Sequence, residues 1–240
     1  AQEVENATAA TAGVATSANI AREKSLLSEM ERIAEQSRAL PDARIRHLTD
    51  WIRQRMCPGG KWNDLRLLIF TEYDDTKRYL VEMLRTIIAE TDLAEHRIEV
   101  YHGPTPPEKR EAIKRAFNLP PNEHPIRILV ATDAAREGIN LQAHSHNLYH
   151  FDVPWNPSRL EQRNGRIDRK LQPASEVFCH YFVYSQRPED RVLRALVRKT
   201  ETIRTELGSL AAVLEERLSN TIRTGIRHDE ADKLVAEIEA

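Results

Sequence analysis

An α/β domain is the fold this sequence predicts: a parallel sheet with helices on both faces, plus N- and C-terminal helical extensions. Three observations carry the prediction. Short apolar runs alternate with segments of helical periodicity between residues 65 and 184. The clearest run, Leu65–Phe70, is continuous apart from Arg66, as in a strand buried on both faces. Capping-box patterns at Thr105 and Ser158 mark helix starts between the runs.

Taken in order, residues 1–19 are rich in Ala and Thr without periodicity and read as a flexible linker. Residues 20–60 read as a helical extension, with Ile20, Leu27, Met30, Ile33 and Ala34 at helical spacing. Pro41 breaks that helix, a second runs through Leu48 and Ile52, and Pro58-Gly59-Gly60 marks a turn. Residues 61–187 form the α/β lobe. Its strands are Leu65–Phe70, Ile98–Tyr101, Ile126–Ala131, Leu148–Phe151 and Val177–Tyr184. Tyr79, Leu80, Met83, Leu84, Ile87 and Ile88 place a helix after the first strand. Thr105-Pro106-Pro107-Glu108 opens another, and Ser158-Arg159-Leu160-Glu161 a third. Residues 188–240 form a charged, helical C-terminal extension through Val192, Leu196, Ile203, Leu207, Leu210 and Leu214.

Composition narrows the function. A chain of 240 residues with 40% hydrophobic and 30% charged residues can bury a core. A net charge of −2 gives no global attraction to nucleic acid, so such binding needs a local patch. Cys57 and Cys179 stand far apart and suit a reducing, cytoplasmic setting. No apolar run approaches membrane-spanning length. The start lacks Met and no signal peptide follows, which reads as an excised fragment.

The chemistry concentrates at 162–169, Gln-Arg-Asn-Gly-Arg-Ile-Asp-Arg. Arginine offers a flat fork of donors that matches phosphate oxygens. On a continuous helix Gln162, Arg166 and Arg169 would share one face. Two arginines so placed suit a clamp on a nucleotide phosphate. On charge spacing alone, a solvated basic face laced with Glu161 and Asp168 is the favoured reading, and the rest of the chain reverses it. Other segments fall at strand ends, where doubly wound sheets bind ligands. These are Thr71-Glu72-Tyr73, His102-Gly103, Thr132–Gln142 and Asp152–Pro157.

Together these segments, in this order, resemble the second RecA-like lobe of superfamily-two helicases over about residues 65–185. Trp155-Asn156-Pro157, followed by Gln162 and the paired arginines, is similar to the Swi/Snf branch of double-stranded DNA translocases, and within that branch the wording is similar to bacterial members. The resemblance implies that Arg166 and Arg169 are arginine fingers supported by Gln162. It places Gly138 and Asn140 by the ribose of ATP. Thr71, His102, Gly103 and Thr132 would line a DNA backbone, and Asp133 would brace the arginine segment. Thr71 and Thr132 also suit ordinary strand-end turns.

No phosphate loop occurs, since Gly59-Gly60-Lys61 lacks its frame. By the resemblance, ATP and Mg2+ are held mainly by a first lobe of the same polypeptide, and this chain alone is inactive. Double-stranded DNA is the expected partner, with subunits of a defence or transcription complex as further partners. Two alternatives stay open: an RNA or single-strand helicase lobe, and an orphan lobe acting as a binding module. Asp229-Glu230-Ala231-Asp232 spells a helicase signature but stands in a polar tail after the arginines, so it reads as coincidence. His144, His146 and His150 lack the partners of a metal site.

Overall fold

The computed structural model describes residues 17–37, 40–133, 140–184, 186–206, 231–233 and 235–236. The chain divides after Asp42 into two compact units. The first contains helix α1 (Ser17–Ser37), as the apolar spacing predicts. Its Leu26, Leu27 and Met30 are exposed.

The second unit holds a five-stranded sheet in the order β2-β3-β1-β4-β5, and every pairing is parallel. The strands are β1 (Leu67–Thr71), β2 (Ile98–Tyr101), β3 (Ile128–Thr132), β4 (Asn147–His150) and β5 (Phe178–Tyr181). Alternate residues of the strands face opposite sides, and each side is covered. Leu67, Ile69, Ile128, Val130 and Tyr149 pack against α2 (Ala43–Trp51), the π-turn Ile52–Met56 and α3 (Asp74–Ile88). A short helix, α4 (Ala94–Arg97), leads into β2. Leu68, Phe70, Leu129, Ala131 and Leu148 pack against Ile113 and Phe117 of α5 (Pro107–Asn118), with Leu141 and Ile167. This is the expected α/β sheet with helices on both faces.

Residues 43–56, grouped by sequence with the helical extension, contribute to the core of the sheet. Ile45, Leu48, Ile52 and Met56 are fully buried. Each such side chain contributes about 1.5–3 kcal/mol over leaving it in water.

The first and third strands start two residues later than the apolar runs suggest, because arginines intervene. Arg127 donates to the carbonyls of Asn63 (2.7 Å), His124 (2.8 Å) and Pro121 (2.9 Å), tying loops together below the sheet. Arg66 is fully buried and donates to the Phe117 carbonyl at the C-terminus of α5, where a cation suits the helix dipole. Burial, and then the charge of Arg127, bring the Arg66 guanidinium down to about 10.

Both expected capping boxes are replaced. Thr105 does not cap α5: its hydroxyl accepts from the His102 N–H at 3.1 Å, and Pro106 precedes the helix. Ser158 does not cap α6 (Pro157–Asn164): the Asn156 side chain accepts from Ser158 N (2.8 Å) and Arg159 N (3.3 Å).

Beyond β5, helix α7 (Pro188–Glu206) buries Val192, Leu193, Ala195 and Leu196 beside Val153 and Trp155. Ala231 joins the same cluster, and Asp232 pairs with Arg191. That gives this part of the Asp-Glu-Ala-Asp stretch a packing role. Leu207, Leu210 and Leu214 lie outside the described residues. Among the described residues no helix is long and apolar enough to cross a membrane.

Candidate functional site

The carboxyl ends of β1, β3 and β4 meet α6 through a buried polar hub. Thr71 and Thr132 are register partners at the ends of β1 and β3. Asp152, just past β4, accepts from the Thr71 hydroxyl and from the Glu72 N–H (2.8 Å). Arg163 completes the hub. Its Nε donates to Asp133 Oδ1 at 2.6 Å and its Nη1 to the Asp152 carbonyl at 2.7 Å. The guanidinium also lies over the Phe70 ring, 5.5 Å from its centroid.

Asn156 and Pro157 set the start of α6, so Pro157, Leu160 and Arg163 fall on its inward face and are buried. Outside the hub, Arg159 reaches Glu72 at 3.0 Å. Asp133, expected to brace the arginine segment, pairs with Arg163 of α6.

Helix α6 ends at Asn164, so Gln162, Arg166 and Arg169 do not share one helical face. Gly165 closes the helix with its N–H on the Glu161 carbonyl at 2.8 Å. A Cβ at Gly165 would stand 3.2 Å from that same oxygen, which favours glycine here. The chain then turns tightly: Ile167 N (3.1 Å) and Asp168 N (3.0 Å) both donate to the Asn164 carbonyl. Gln162 is exposed, Arg166 is buried and Arg169 is exposed.

The turn brings Arg169 to Asn140 and the Arg166 backbone to Leu141. Arg169 Nη1 donates to Asn140 Oδ1, and its Nε to the Gly165 carbonyl at 2.6 Å. Leu141 N donates to the Arg166 carbonyl at 3.1 Å. Burial and the charge of Arg169 lower the Arg166 pKa. An anion beside the two guanidiniums would reverse part of that cost. Of the residues expected at a phosphate and ribose site, Arg169 lies against Asn140, and the Arg166 backbone bonds the neighbouring Leu141. Gly138 lies outside the described residues.

The residues expected along a nucleic-acid backbone are placed unevenly. Thr71 is fully buried, with its hydroxyl committed to Asp152, and Thr132 is 5% exposed. His102 and Gly103 are half-buried beyond β2. The His102 ring sits 3.2 Å from Lys77 Nζ, and Gly103 O accepts from Arg110. Burial and the Lys77 charge lower the His102 pKa, which leaves the ring neutral near pH 7.

Sequence reasoning gives Arg163 no role, places Asp152 only within a strand-end segment, and weighs His150 only as a metal ligand. Arg163 was findable from its spacing of three behind Leu160 on the inward face. His150 is fully buried, and its Nε2 lies 2.8 Å from Asn164 Oδ1. Among the described residues no cluster of three or more His, Cys, Asp or Glu could hold a metal.

Comparison with known proteins follows the same segments. The family profile described as helicase conserved C-terminal domain matches residues 49–170. The uncharacterized ATP-dependent helicase YqhH of Bacillus subtilis is 33% identical over 153 residues, covering 63% of this chain and 25% of that protein. The DEAD-box ATP-dependent RNA helicase CshA of Geobacillus kaustophilus is 34% identical over 94 residues, covering 39% of this chain and 18% of that protein. The helicase domain of Pyrococcus furiosus Hef superposes with a TM-score of 0.51 at 17% identity, covering 77% of this chain and 35% of that one. The last likeness speaks to fold alone, and the parallel sheet is RecA-like. The chain spans a quarter or less of the two sequence relatives.

Proposed function

Since the chain belongs to the helicase conserved C-terminal domain family, we propose that it is the second motor lobe of an ATP-dependent, Swi/Snf-type translocase on double-stranded DNA. A first lobe of the same polypeptide holds ATP and Mg2+. Arg166 and Arg169 reach across the cleft and stabilise charge developing on the transferring phosphoryl group. Asn140 lies by the ribose. Bound Mg2+ supplies charge neutralisation on the phosphates. The single observation that carries this reading is the tight turn after α6, which sets Arg169 on Asn140 and the Arg166 backbone against Leu141.

The buried hub links the strand ends of the lobe to α6. Arg163 ties α6, which leads into the arginine turn, to Asp133, next to Thr132, and to Asp152, which accepts from Thr71. Because Thr71 and Thr132 are buried, we place phosphate contacts on backbone groups there and on His102-Gly103. Such contacts position a duplex without reading its sequence. Subunits of a defence or transcription complex are proposed as further partners.

A second reading, an RNA helicase lobe, is favoured by the similarity to CshA. ATP hydrolysis by the full-length protein, measured with duplex DNA, single-stranded DNA and RNA, separates the two. Duplex DNA is expected to stimulate most. Stimulation by RNA alone would overturn the translocase reading.

A further inference from the structure

One buried side chain near the arginine turn is used by nothing above. His150 ends β4 and is fully buried. Its ring stacks on Tyr181, its register partner on β5, with centroids 4.8 Å apart and planes 3° from parallel. Asn164, the last residue of α6, closes a triangle with them. Its Nδ2 donates to Tyr181 Oη at 3.3 Å, which turns its Oδ1 towards His150 Nε2 at 2.8 Å. An amide oxygen only accepts, so Nε2 carries the proton. His150 Nδ1 is then an acceptor, and it has no hydrogen-bond partner among the described residues.

A buried polar atom left without a partner is costly. A phenyl ring would fill the same space and stack on Tyr181 without that cost. The imidazole therefore contributes its Nε2–H, and that bond goes to the residue from which the arginine turn hangs. The Asn164 carbonyl accepts from both Ile167 N and Asp168 N, on either side of which stand Arg166 and Arg169.

We infer that His150 is a positioning residue: through Asn164 and Tyr181 it fixes the turn that aims Arg166 and Arg169. The catalytic part of this inference rests on the reading of those arginines given above. The mechanism is orientational. A bond to Asn164 stops rotation of the last residue of α6, and a small misplacement of a charge-stabilising group is expensive in rate.

Two measurements test it, each with His150→Phe, which keeps the stack, and His150→Gln, whose amide can replace the Nε2 donor. Amide hydrogen exchange on the present chain reads the turn without any catalysis. In His150→Phe the Ile167 and Asp168 amides should exchange about tenfold faster while β1 and β3 stay protected, and His150→Gln should restore them. In the full-length protein, His150→Phe should lower kcat about tenfold or more with the KM for ATP within about twofold. His150→Gln should recover most of kcat.

Unchanged exchange in His150→Phe overturns the inference, as does equal impairment of the Gln and Phe variants. So does a change confined to KM. Should His150→Phe also deprotect β1 and β3, the Asn164→Ala variant decides, since it removes the acceptor and leaves the ring in place. It must loosen the turn and lower kcat as described, or the inference fails. Full turnover in Arg166→Ala and Arg169→Ala would instead sink the arginine-finger reading, and the exchange data would still decide whether His150 holds the turn.

Discussion

Arg163 and Asp133 form an ion pair with Nε 2.6 Å from Oδ1, and their side chains are 1% and 7% exposed. The same guanidinium reaches the Asp152 carbonyl, so one side chain locks α6 to the ends of β3 and β4. Breaking a buried pair from one side is expensive, because the remaining charge keeps its desolvation cost. Arg163→Met should therefore destabilise the chain by about 3 kcal/mol or more in urea unfolding. Arg163→Lys keeps the charge but loses the planar fork, and should cost about 2 kcal/mol. A loss below about 1 kcal/mol in Arg163→Met would show that the hub is not a structural keystone.

How much of this was legible in the sequence depends on what each residue's role requires. β2 matches its apolar run residue for residue, because Ile98 and Tyr101 are placed by local pattern alone. Arg66 and Arg127 delay the starts of β1 and β3 by two residues, and an arginine bound to distant carbonyls cannot be recognised without the segments that supply them. The cap of α6 moved from Ser158 to Asn156 because both are good caps, and backbone geometry chose between them. The paired arginines were visible as a pattern, but a helix ending at Asn164 separates them into one buried and one exposed side chain. Thr71 was visible as a strand-end hydroxyl. That it faces inward onto Asp152 depends on a residue 81 positions away. Arg163 reads as solvated, a charge among charges, although its spacing from Leu160 points inwards.

Acid should weaken this fold before its carboxylates titrate. Burial, reinforced by the charge of Arg163, brings His150 down to about 3. In the unfolded chain a histidine titrates near 6.5, so between about pH 6.5 and 3 the unfolded state binds the extra proton. Stability therefore falls as pH falls through that window, by about 1.4 kcal/mol per pH unit from this group. His102, His124 and His180 are also lowered, chiefly by burial, and act in the same direction. Urea unfolding at pH 6.5 and pH 5 checks the sign. His150→Gln should lose about 2 kcal/mol less than the parent chain over that interval. Equal losses would mean that His150 becomes protonated in the folded state.

On its own, this chain should neither hydrolyse ATP nor bind it tightly, because a phosphate loop normally supplies most phosphate contacts. Its affinity for nucleic acid should be weak and should fall steeply with salt, as counterion release requires. A net charge of −2 leaves only local basic groups to drive binding. Titrations with several unrelated duplexes at increasing salt check this. Turnover clearly above a buffer blank, or a sequence preference beyond about tenfold, would count against a half-motor.

The arginine turn gives the sharpest test. In the full-length protein, Arg166→Ala or Arg169→Ala should abolish turnover while leaving the fold and most of the ATP affinity intact. The two side chains differ in setting: Arg166 is buried, whereas Arg169 is exposed and held on Asn140. Arg166→Ala should thus also cost some stability, and Arg169→Ala very little, which urea unfolding can separate from the kinetic effect. An arginine that acts on charge developing in the transition state lowers the rate by about 10³-fold or more when removed. Ground-state binding should change far less, because the first lobe holds most of the nucleotide. If Arg169 were only a surface residue tied to Asn140, its loss would leave the rate within about twofold, since exposed charges contribute little. One kinetic measurement therefore separates the readings by orders of magnitude. Near-normal turnover in both variants would reduce the turn after α6 to a structural feature and remove the arginine-finger mechanism altogether.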